Sequence, residues 1–234
     1  MKMTEFVTEL GKRGIEIKDY HTLDLLWNYM HRVLETNKKF NLTAITDEDA
    51  FVEKMLFDSA LVLINQKFED TEILDIGSGA GFPSVVVSIL SPMAHVIALD
   101  STAKKCNFVQ EFSDENTLNL ETVCARAEDY AKENRDRFMV ITARAVASLR
   151  ILVELAAPML KVGGVLIAMK GPGFEEEIEQ ARCALRKLNC EVDYIYEDQL
   201  PKSKEIRSLV YVKKIGETPK KYPRTFGTIK KNPL

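Results

Sequence analysis

A glycine-rich segment at residues 73–83 carries the clearest chemical signal in the chain, and it reads Ile-Leu-Asp-Ile-Gly-Ser-Gly-Ala-Gly-Phe-Pro. Glycines at alternate positions let a ligand approach the backbone closely, because no side chain stands in the way. A nicotinamide-binding loop would require G-x-G-x-x-G, and Phe82 occupies the place of its last glycine. A P-loop is excluded, since no Lys-Ser or Lys-Thr pair follows the glycines. The segment therefore indicates a ligand-binding loop of a different kind.

Two further elements follow this loop at spacings that fit a nucleoside ligand. An apolar run at residues 96–99 ends in Asp100, 23 residues after Gly77, where a carboxylate can accept hydrogen bonds from ribose hydroxyls. The sequence Arg-Ala-Glu-Asp at residues 126–129 follows the next apolar run, where an adenine edge can be held. The three elements resemble those of class I S-adenosylmethionine-dependent methyltransferases. This resemblance predicts cofactor contacts from Asp75, Gly77, Gly79, Gly81, Phe82, Asp100, Ala127, Glu128 and Arg144.

The elements that must position these residues alternate between short apolar runs and longer amphipathic stretches. Strands are predicted at residues 72–76, 95–100, 120–124, 137–141 and 165–170, with helices after the first, second, fourth and fifth. Two more strand-like segments, 192–196 and 206–213, are joined by a turn containing Pro201. The pattern predicts an α/β fold with a doubly wound, seven-stranded sheet that has one antiparallel edge.

The beginning of the chain has a different periodicity from the rest. Apolar residues recur at helical spacing over 23–34 and again over 52–64, with a polar, basic connection at 37–45 between them. The sequence therefore predicts an N-terminal helical cap at residues 1–67. Residues 68–234 are predicted to form the methyltransferase domain, with a basic tail.

Charge is distributed unevenly along the chain. The net charge is −3 over 234 residues, but residues 201–234 contribute +8 and the first 200 residues −11. A basic segment on an acidic protein indicates either a polyanionic partner that touches one side or a solvated terminus, and charge alone does not separate these interpretations.

Composition narrows the class of protein. With 46% hydrophobic and 29% charged residues, the chain has the makeup of a folded globular protein, and disorder is excluded. No apolar run approaches the length of a membrane span, and the charged N-terminal region lacks a secretory signal, so a cytoplasmic protein without membrane association is expected. The four cysteines form no C-x-x-C pair and the three histidines do not cluster near them, so no metal site is expected.

Along nearly its whole length the chain also resembles the RsmG family, also called glucose-inhibited division protein B. The family usually has a glycine after the Phe-Pro pair, where this chain has Ser84. The resemblance implies methylation of N7 of one guanine in the 530 loop of bacterial 16S rRNA, with 16S rRNA or a small-subunit precursor as partner and a monomeric enzyme. The matching segments are Asn-Leu-Thr-Ala-Ile at 41–45, Asp-Ser at 58–59, the glycine loop at 77–83, Thr-Ala-Arg-Ala at 142–145, Lys-Gly at 170–171, Lys-Tyr-Pro-Arg-Thr-Phe-Gly at 221–227 and Asn-Pro-Leu at 232–234.

Some features of the sequence itself agree with guanine N7 as the methylated atom. Enzymes that methylate exocyclic amines use an Asn/Asp-Pro-Pro-aromatic segment, and C5-methylation uses a cysteine that commonly follows proline; the chain has neither. Guanine N7 has an in-plane lone pair, so its attack needs positioning and no general base. Arg144 and Lys170, at the carboxyl ends of two predicted strands, are predicted to act in catalysis. The predicted RNA contacts are Lys38, Lys39, Asn41, Lys220, Lys221 and Arg224.

Two alternatives remain open at this point. The same fold could methylate another RNA, a small molecule or a protein, and RNA dependence of methyl transfer would distinguish these. The chain could also be a non-catalytic RNA-binding protein that keeps the glycine loop as architecture, in which case it would not bind the cofactor.

Overall fold

A computed structural model describes residues 1–66 and 68–234 as a mixed sheet with helices on both faces. The strands are β1 Glu72–Ile76, β2 His95–Asp100, β3 Leu120–Cys124, β4 Phe138–Arg144, β5 Leu160–Lys170, β6 Cys190–Gln199 and β7 Ile206–Lys214. The helices are α1 Met3–Gly11, α2 Tyr20–Asn37, α3 Glu48–Phe51, a π-helical turn Val52–Phe57, α4 Asp58–Ala60, a 3-10 turn Leu61–Leu63, α5 Ser84–Leu90, α6 Ala103–Glu115, α7 Ala127–Glu133, α8 Leu149–Ala156, α9 Phe174–Lys187 and α10 Phe226–Lys231.

The sheet has the predicted doubly wound topology, with strand order β3-β2-β1-β4-β5-β7-β6. Strands β1 to β5 pair in parallel, whereas β7 runs antiparallel to both β5 and β6. The hairpin of β6 and β7 thus forms the antiparallel edge that the sequence predicts, with β6 outermost. Because β1 lies between β2 and β4, the chain reverses its winding direction at β1, and open α/β sheets bind ligands at this point, beyond the carboxyl ends of the strands.

The prediction fails at some boundaries of the elements. Strand β4 continues three residues beyond the predicted end at 141, because Thr142, Ala143 and Arg144 pair with Ile167, Ala168 and Met169 of β5. Strand β5 begins at Leu160, before the predicted 165, although Gly163 and Gly164 follow there. Helix α7 was not predicted, because its sequence Ala-Glu-Asp-Tyr-Ala-Lys-Glu has too few large apolar residues to show a helical stripe.

The N-terminal helices cover one face of the sheet. Helix α2 begins after Asp19, whose carboxylate accepts a 2.7 Å hydrogen bond from the backbone N–H of Thr22. Buried residues of these helices, such as Phe6 and Leu26, belong to one hydrophobic cluster with Val85 of α5 and Val96 of β2. The predicted helix 52–64 forms as a run that changes from π-helical to α and then to 3-10 geometry.

A second hydrophobic cluster lies on the opposite face of the sheet, where α8 and α9 pack. The division of the chain at 67/68 stays a prediction, and Lys67 lies outside the described residues. None of the described helices is long and apolar enough to cross a membrane. Within residues 1–66 and 68–234, no group of three or more His, Cys, Asp or Glu side chains could hold a metal ion.

Candidate active site

The glycine loop between β1 and α5 is shaped by two close approaches. Gly77 has a φ of +69°, and a Cβ there would lie 2.6 Å from Cγ2 of Val146. Gly81 has a φ of +75°, and a Cβ there would collide with the hydroxyl of Tyr29 and with Val85. Only glycine meets both requirements at these positions, since a side chain would strain the backbone and displace its neighbours.

Two buried side chains hold this loop from below. Tyr29, on α2, donates a 2.7 Å hydrogen bond to the carbonyl of Ala80, and burial raises the pKa of its hydroxyl, which therefore stays a donor. Asp75, at the end of β1, accepts hydrogen bonds from the hydroxyl of Thr142 (2.9 Å) and from the backbone N–H of Ser84 (3.2 Å). Burial raises the pKa of Asp75 to about 7. Ser84, which departs from the family pattern, is the first residue of helix α5.

A small cavity of about 180 Å³ lies above the loop, at the carboxyl ends of β1 and β2. It brings together four of the predicted cofactor residues: Gly77, Asp100, Ala127 and Glu128. The Asp100 carboxylate accepts hydrogen bonds from the N–H groups of Gly79 (2.9 Å) and Thr102 (2.8 Å). The other predicted cofactor residues, Asp75, Gly79, Gly81, Phe82 and Arg144, do not line this cavity.

A larger cavity of about 640 Å³ lies beside the first, at the carboxyl ends of β4 and β5. Val146 lines both cavities, so they meet directly above Gly77. Most of the charge that lines the larger cavity is positive. Its cations are Lys54, Arg144, Lys170 and Arg207, and its acids are Asp58 and Glu177.

Arg144 forms part of the base of this larger cavity and is held in place from several sides. Its guanidinium donates to the carbonyl of Lys54 (2.9 Å) and lies 3.4 Å from Oδ2 of Asp58. It also lies 5.5 Å from the centre of the Phe82 ring. Arg207 approaches the other oxygen of Asp58 at 3.3 Å. Burial raises the pKa of Asp58 in spite of these two guanidinium groups, and burial lowers the pKa of Arg144.

Comparison with known proteins decides the family. The sequence pattern of the family described as rRNA small subunit methyltransferase G matches residues 22–209, well over half of the chain. The ribosomal RNA small subunit methyltransferase G of Lactobacillus acidophilus is 40% identical over 240 residues, covering 100% of both chains. The chain belongs to the rRNA small subunit methyltransferase G family. The predicted family, methyltransferase activity and rRNA substrate are thereby confirmed.

Solved structures support the fold of this chain. The predicted O-methyltransferase Atu636 from Agrobacterium tumefaciens matches with a TM-score of 0.54 and 17% identity, over 68% of this chain and 81% of that one. TYW2 from M. jannaschii, solved in complex with AdoMet, has a TM-score of 0.54 and 16% identity, over 64% of this chain and 71% of that one. At such identities the likeness concerns the fold alone, and it confirms the class I methyltransferase architecture.

Lys170 lines the larger cavity together with Arg144. Its ammonium donates to the carbonyl of Ala147 (2.8 Å) and to the carboxylate of Glu177 (2.7 Å), which also accepts from the N–H of Leu149. Sequence reasoning missed Lys54 and Arg207 in this cavity, because they come from elements distant in the chain. It also missed Tyr29, since a tyrosine in a helical stripe looks like any other core residue.

The predicted RNA contacts fall into two groups. Lys38, Lys39 and Asn41 are exposed beside the end of α2, where Lys38 also pairs with Glu35 at 2.7 Å. Lys220 and Lys221 are exposed near the C-terminus, with the Lys221 ammonium 5.3 Å from the centre of the Tyr222 ring. The sequence placed Arg224 with these residues. In the structure Arg224 binds the buried carboxylate of Glu154, and its contact with RNA stays a prediction.

Proposed function

We propose that this enzyme methylates N7 of a guanine in the 530 loop of 16S rRNA, with S-adenosylmethionine in the small cavity and the target nucleotide in the large one. The observation that carries the proposal is the meeting of two differently charged cavities at Val146. The small cavity has two acids, Asp100 and Glu128, against one cation, Arg126, which suits a sulfonium ligand. The large cavity has four cations against two acids, which suits an RNA phosphate.

The residues of the small cavity fit the cofactor. Gly77 lines the cavity with a positive φ, and its lack of a Cβ leaves room for the side chain of Val146 at this point. The carboxylate of Asp100 is partly exposed at the end of β2, where it can accept hydrogen bonds from ribose hydroxyls. When bound, the cofactor supplies an electrophilic methyl group. Ala127 and Glu128 are the candidates for holding the adenine edge.

The large cavity fits a target atom that needs no deprotonation. Both acids that line it are engaged, Asp58 beside Arg144 and Glu177 with Lys170, so neither is free to act as a general base. Guanine N7 has an in-plane lone pair, so catalysis by alignment is sufficient, and alignment is worth up to roughly 7–11 kcal/mol. Arg144 and Lys170 are the residues that we expect to orient the target nucleotide.

The remaining basic side chains extend the RNA surface beyond the two cavities. Lys38, Lys39 and Asn41 are proposed to contact RNA on the side of the N-terminal helices. We propose that these helices act as a cap that shapes the RNA groove. Lys220 and Lys221 are proposed to contact phosphate on the other side. The substrate is 16S rRNA or a precursor of the small subunit, and the enzyme acts as a monomer in the cytoplasm.

Mass spectrometry of 16S rRNA fragments tests the proposal directly. The gene is deleted, and the fragment that contains the 530 loop is analysed before and after the wild-type chain is restored on a plasmid. We expect one 7-methylguanosine to disappear on deletion and to return on complementation. Retention of every 7-methylguanosine in the deletion strain would refute the proposed target, and loss of a methyl group elsewhere would redirect it.

A further inference from the structure

The C-terminal segment of residues 218–231, named here the C-terminal strap, is fastened to the body of the enzyme. Arg224 donates to the Glu154 carboxylate from its backbone N–H (3.1 Å), from Nε (2.7 Å) and from Nη2 (2.6 Å). Glu154 lies on α8 with a side chain that is 0% exposed. A buried carboxylate is costly without a partner, so this ion pair fixes the path of the strap.

Two further contacts hold the same segment on either side of Arg224. Arg135 donates to the backbone carbonyls of Tyr222 (2.6 Å) and Thr218 (2.8 Å). Ile229, on α10, is fully buried. The strap is therefore packed structure and not a solvated terminus.

Fastened in this way, the strap carries Phe226 to the small cavity. The ring of Phe226 lines the cavity together with Asp100, Arg126 and Glu128. The guanidinium of Arg126 lies 5.5 Å from the centre of the Phe226 ring. An aromatic face and a guanidinium plane are the groups on which a purine ring stacks in proteins.

We propose that Phe226 is a cofactor-binding residue that stacks against the adenine of S-adenosylmethionine, and that the Arg224–Glu154 pair is what positions it. The inference rests on the proposed function, because it takes the small cavity as the cofactor site. In this inference Arg224 supports cofactor binding, although it lies in the basic C-terminal segment for which the sequence predicts RNA contacts. Phe226 lines the same cavity as Gly77 of the glycine loop, so two distant parts of the chain contribute to the proposed cofactor site.

Calorimetric titration of the full-length chain with S-adenosylhomocysteine tests the stacking. Phe226→Ala is expected to weaken binding by about tenfold or more, because loss of an aromatic stacking partner has that effect on base binding. Phe226→Tyr keeps the ring and is expected to bind within about twofold of wild type. Tyr20→Ala, which removes an exposed aromatic ring at the start of α2, serves as the matched control.

The positioning role of Arg224 has its own readouts. Arg224→Ala is expected to weaken S-adenosylhomocysteine binding by a similar factor, and adding it to Phe226→Ala should cause little further loss. Arg224→Lys should restore part of the affinity. The salt dependence of RNA binding should not change in Phe226→Ala, which leaves the Arg224–Glu154 pair in place. Lys230→Ala removes an exposed charge from the same strap and is expected to bind the ligand normally.

The outcomes separate this inference from the proposed function. If wild type binds S-adenosylhomocysteine and Phe226→Ala binds it equally well, the stacking is wrong while the cofactor site stands. If Arg224→Ala leaves ligand binding intact and reduces the salt slope of RNA binding, Arg224 is an RNA contact and its positioning role is wrong. If wild type does not bind the ligand, the cofactor site and this inference both fail.

Discussion

The two cavities of the enzyme are built in contrasting ways. The small cavity is lined mainly by residues that are close in sequence: the glycine loop after β1, the end of β2 and the start of α7 come within 52 residues, from Gly77 to Glu128, and Val146, Leu155 and Phe226 complete it. The large cavity is formed by long cationic side chains from the N-terminal helices, β4, β5 and β7. Backbone geometry leaves a readable glycine pattern in the sequence, whereas converging side chains leave none.

The two cavities are also proposed to bind different ligands, the cofactor in the small one and the target nucleotide in the large one. Val146 is where the cavities meet, but the groups that hold each cavity differ: Asp100 bonds to the glycine loop, whereas Asp58 lies between Arg144 and Arg207. If each cavity serves one ligand, a substitution on one side should change one binding constant and leave the other intact. Single substitutions in each cavity test whether cofactor binding and RNA binding are independent.

The largest effect is expected from Arg144. Arg144→Ala should lower the single-turnover rate of methyl transfer by about a hundredfold or more. The reason is that the variant loses the two charged hydrogen bonds that we expect the guanidinium to make with the target nucleotide. It should also lower the melting temperature, since Asp58 then keeps only Arg207 as a partner. S-adenosylhomocysteine affinity should stay within about twofold of wild type.

A second variant separates chemistry from folding at this position. Arg144→Lys keeps a positive charge beside Asp58 and should recover most of the stability, but not the rate, because a lysine lacks the planar fork of the guanidinium. Arg182→Ala, on the exposed face of α9, is the control for loss of an arginine. Recovery of the full rate in Arg144→Lys would show that only charge is needed there.

Asp100 is expected to affect cofactor binding and not RNA binding, in contrast to Arg144. Asp100→Ala should weaken S-adenosylhomocysteine binding by about tenfold to a hundredfold, since hydrogen bonds to a charged acceptor contribute roughly 1.5–3 kcal/mol each. RNA affinity should not change. Calorimetry and RNA binding are measured on the same preparation, with Asp24→Asn as an exposed control. Equal losses of both affinities would mean that the two cavities are not independent.

The same contrast explains what the sequence could predict. Strands β1, β2 and β3 begin and end where predicted, and their ends carry the glycine loop and Asp100, because local hydrophobic pattern and turn residues determine them. The large cavity depends on Lys54, Asp58 and Arg207, which meet only when residues some 150 positions apart in the sequence fold together. Hydrophobic periodicity reports local structure, so it does not predict which distant residues come together.

The charge of the C-terminal segment depends on the fold for a related reason. Residues 201–234 carry a net charge of +8, but several of the basic side chains have acidic partners in the structure. Lys214 is fully buried against Asp136, and Arg224 is bound to Glu154. Net charge along a sequence does not show which charges are already neutralised within the fold.

A smaller effect is expected from Asp75, which lies beneath the glycine loop. Its pKa of about 7 is above the ordinary value of 3.8, so the folded protein binds a proton that the unfolded chain has lost between about pH 4 and 7. Stability therefore falls as pH rises through this window. Asp75→Asn should remove that slope, which is at most about 1.4 kcal/mol per pH unit.

Urea unfolding at several pH values measures this difference. The free energy of unfolding of wild type, minus that of Asp75→Asn, should fall between pH 4 and 7 and level off above. The subtraction removes the contribution of Asp58, a second buried acid whose pKa is raised. A constant difference across the window would mean that Asp75 is ionised in the folded protein at all of these pH values.

The smallest effect is expected from the exposed lysines of the C-terminal strap, and it decides whether RNA reaches beyond the large cavity. Lys220→Ala with Lys221→Ala should reduce the slope of log K against log salt for RNA binding by about 1.4, since each lost phosphate contact on single-stranded RNA contributes about 0.7. Arg224 is left intact, because its removal would also free the strap from Glu154. Arg186→Ala with Lys187→Ala, an exposed basic pair at the end of α9, is the matched control. An unchanged slope in the strap variant would place the phosphate contacts at Lys38, Lys39 and the four cations of the large cavity. The only proposed role of the strap would then be to position Phe226 for cofactor binding.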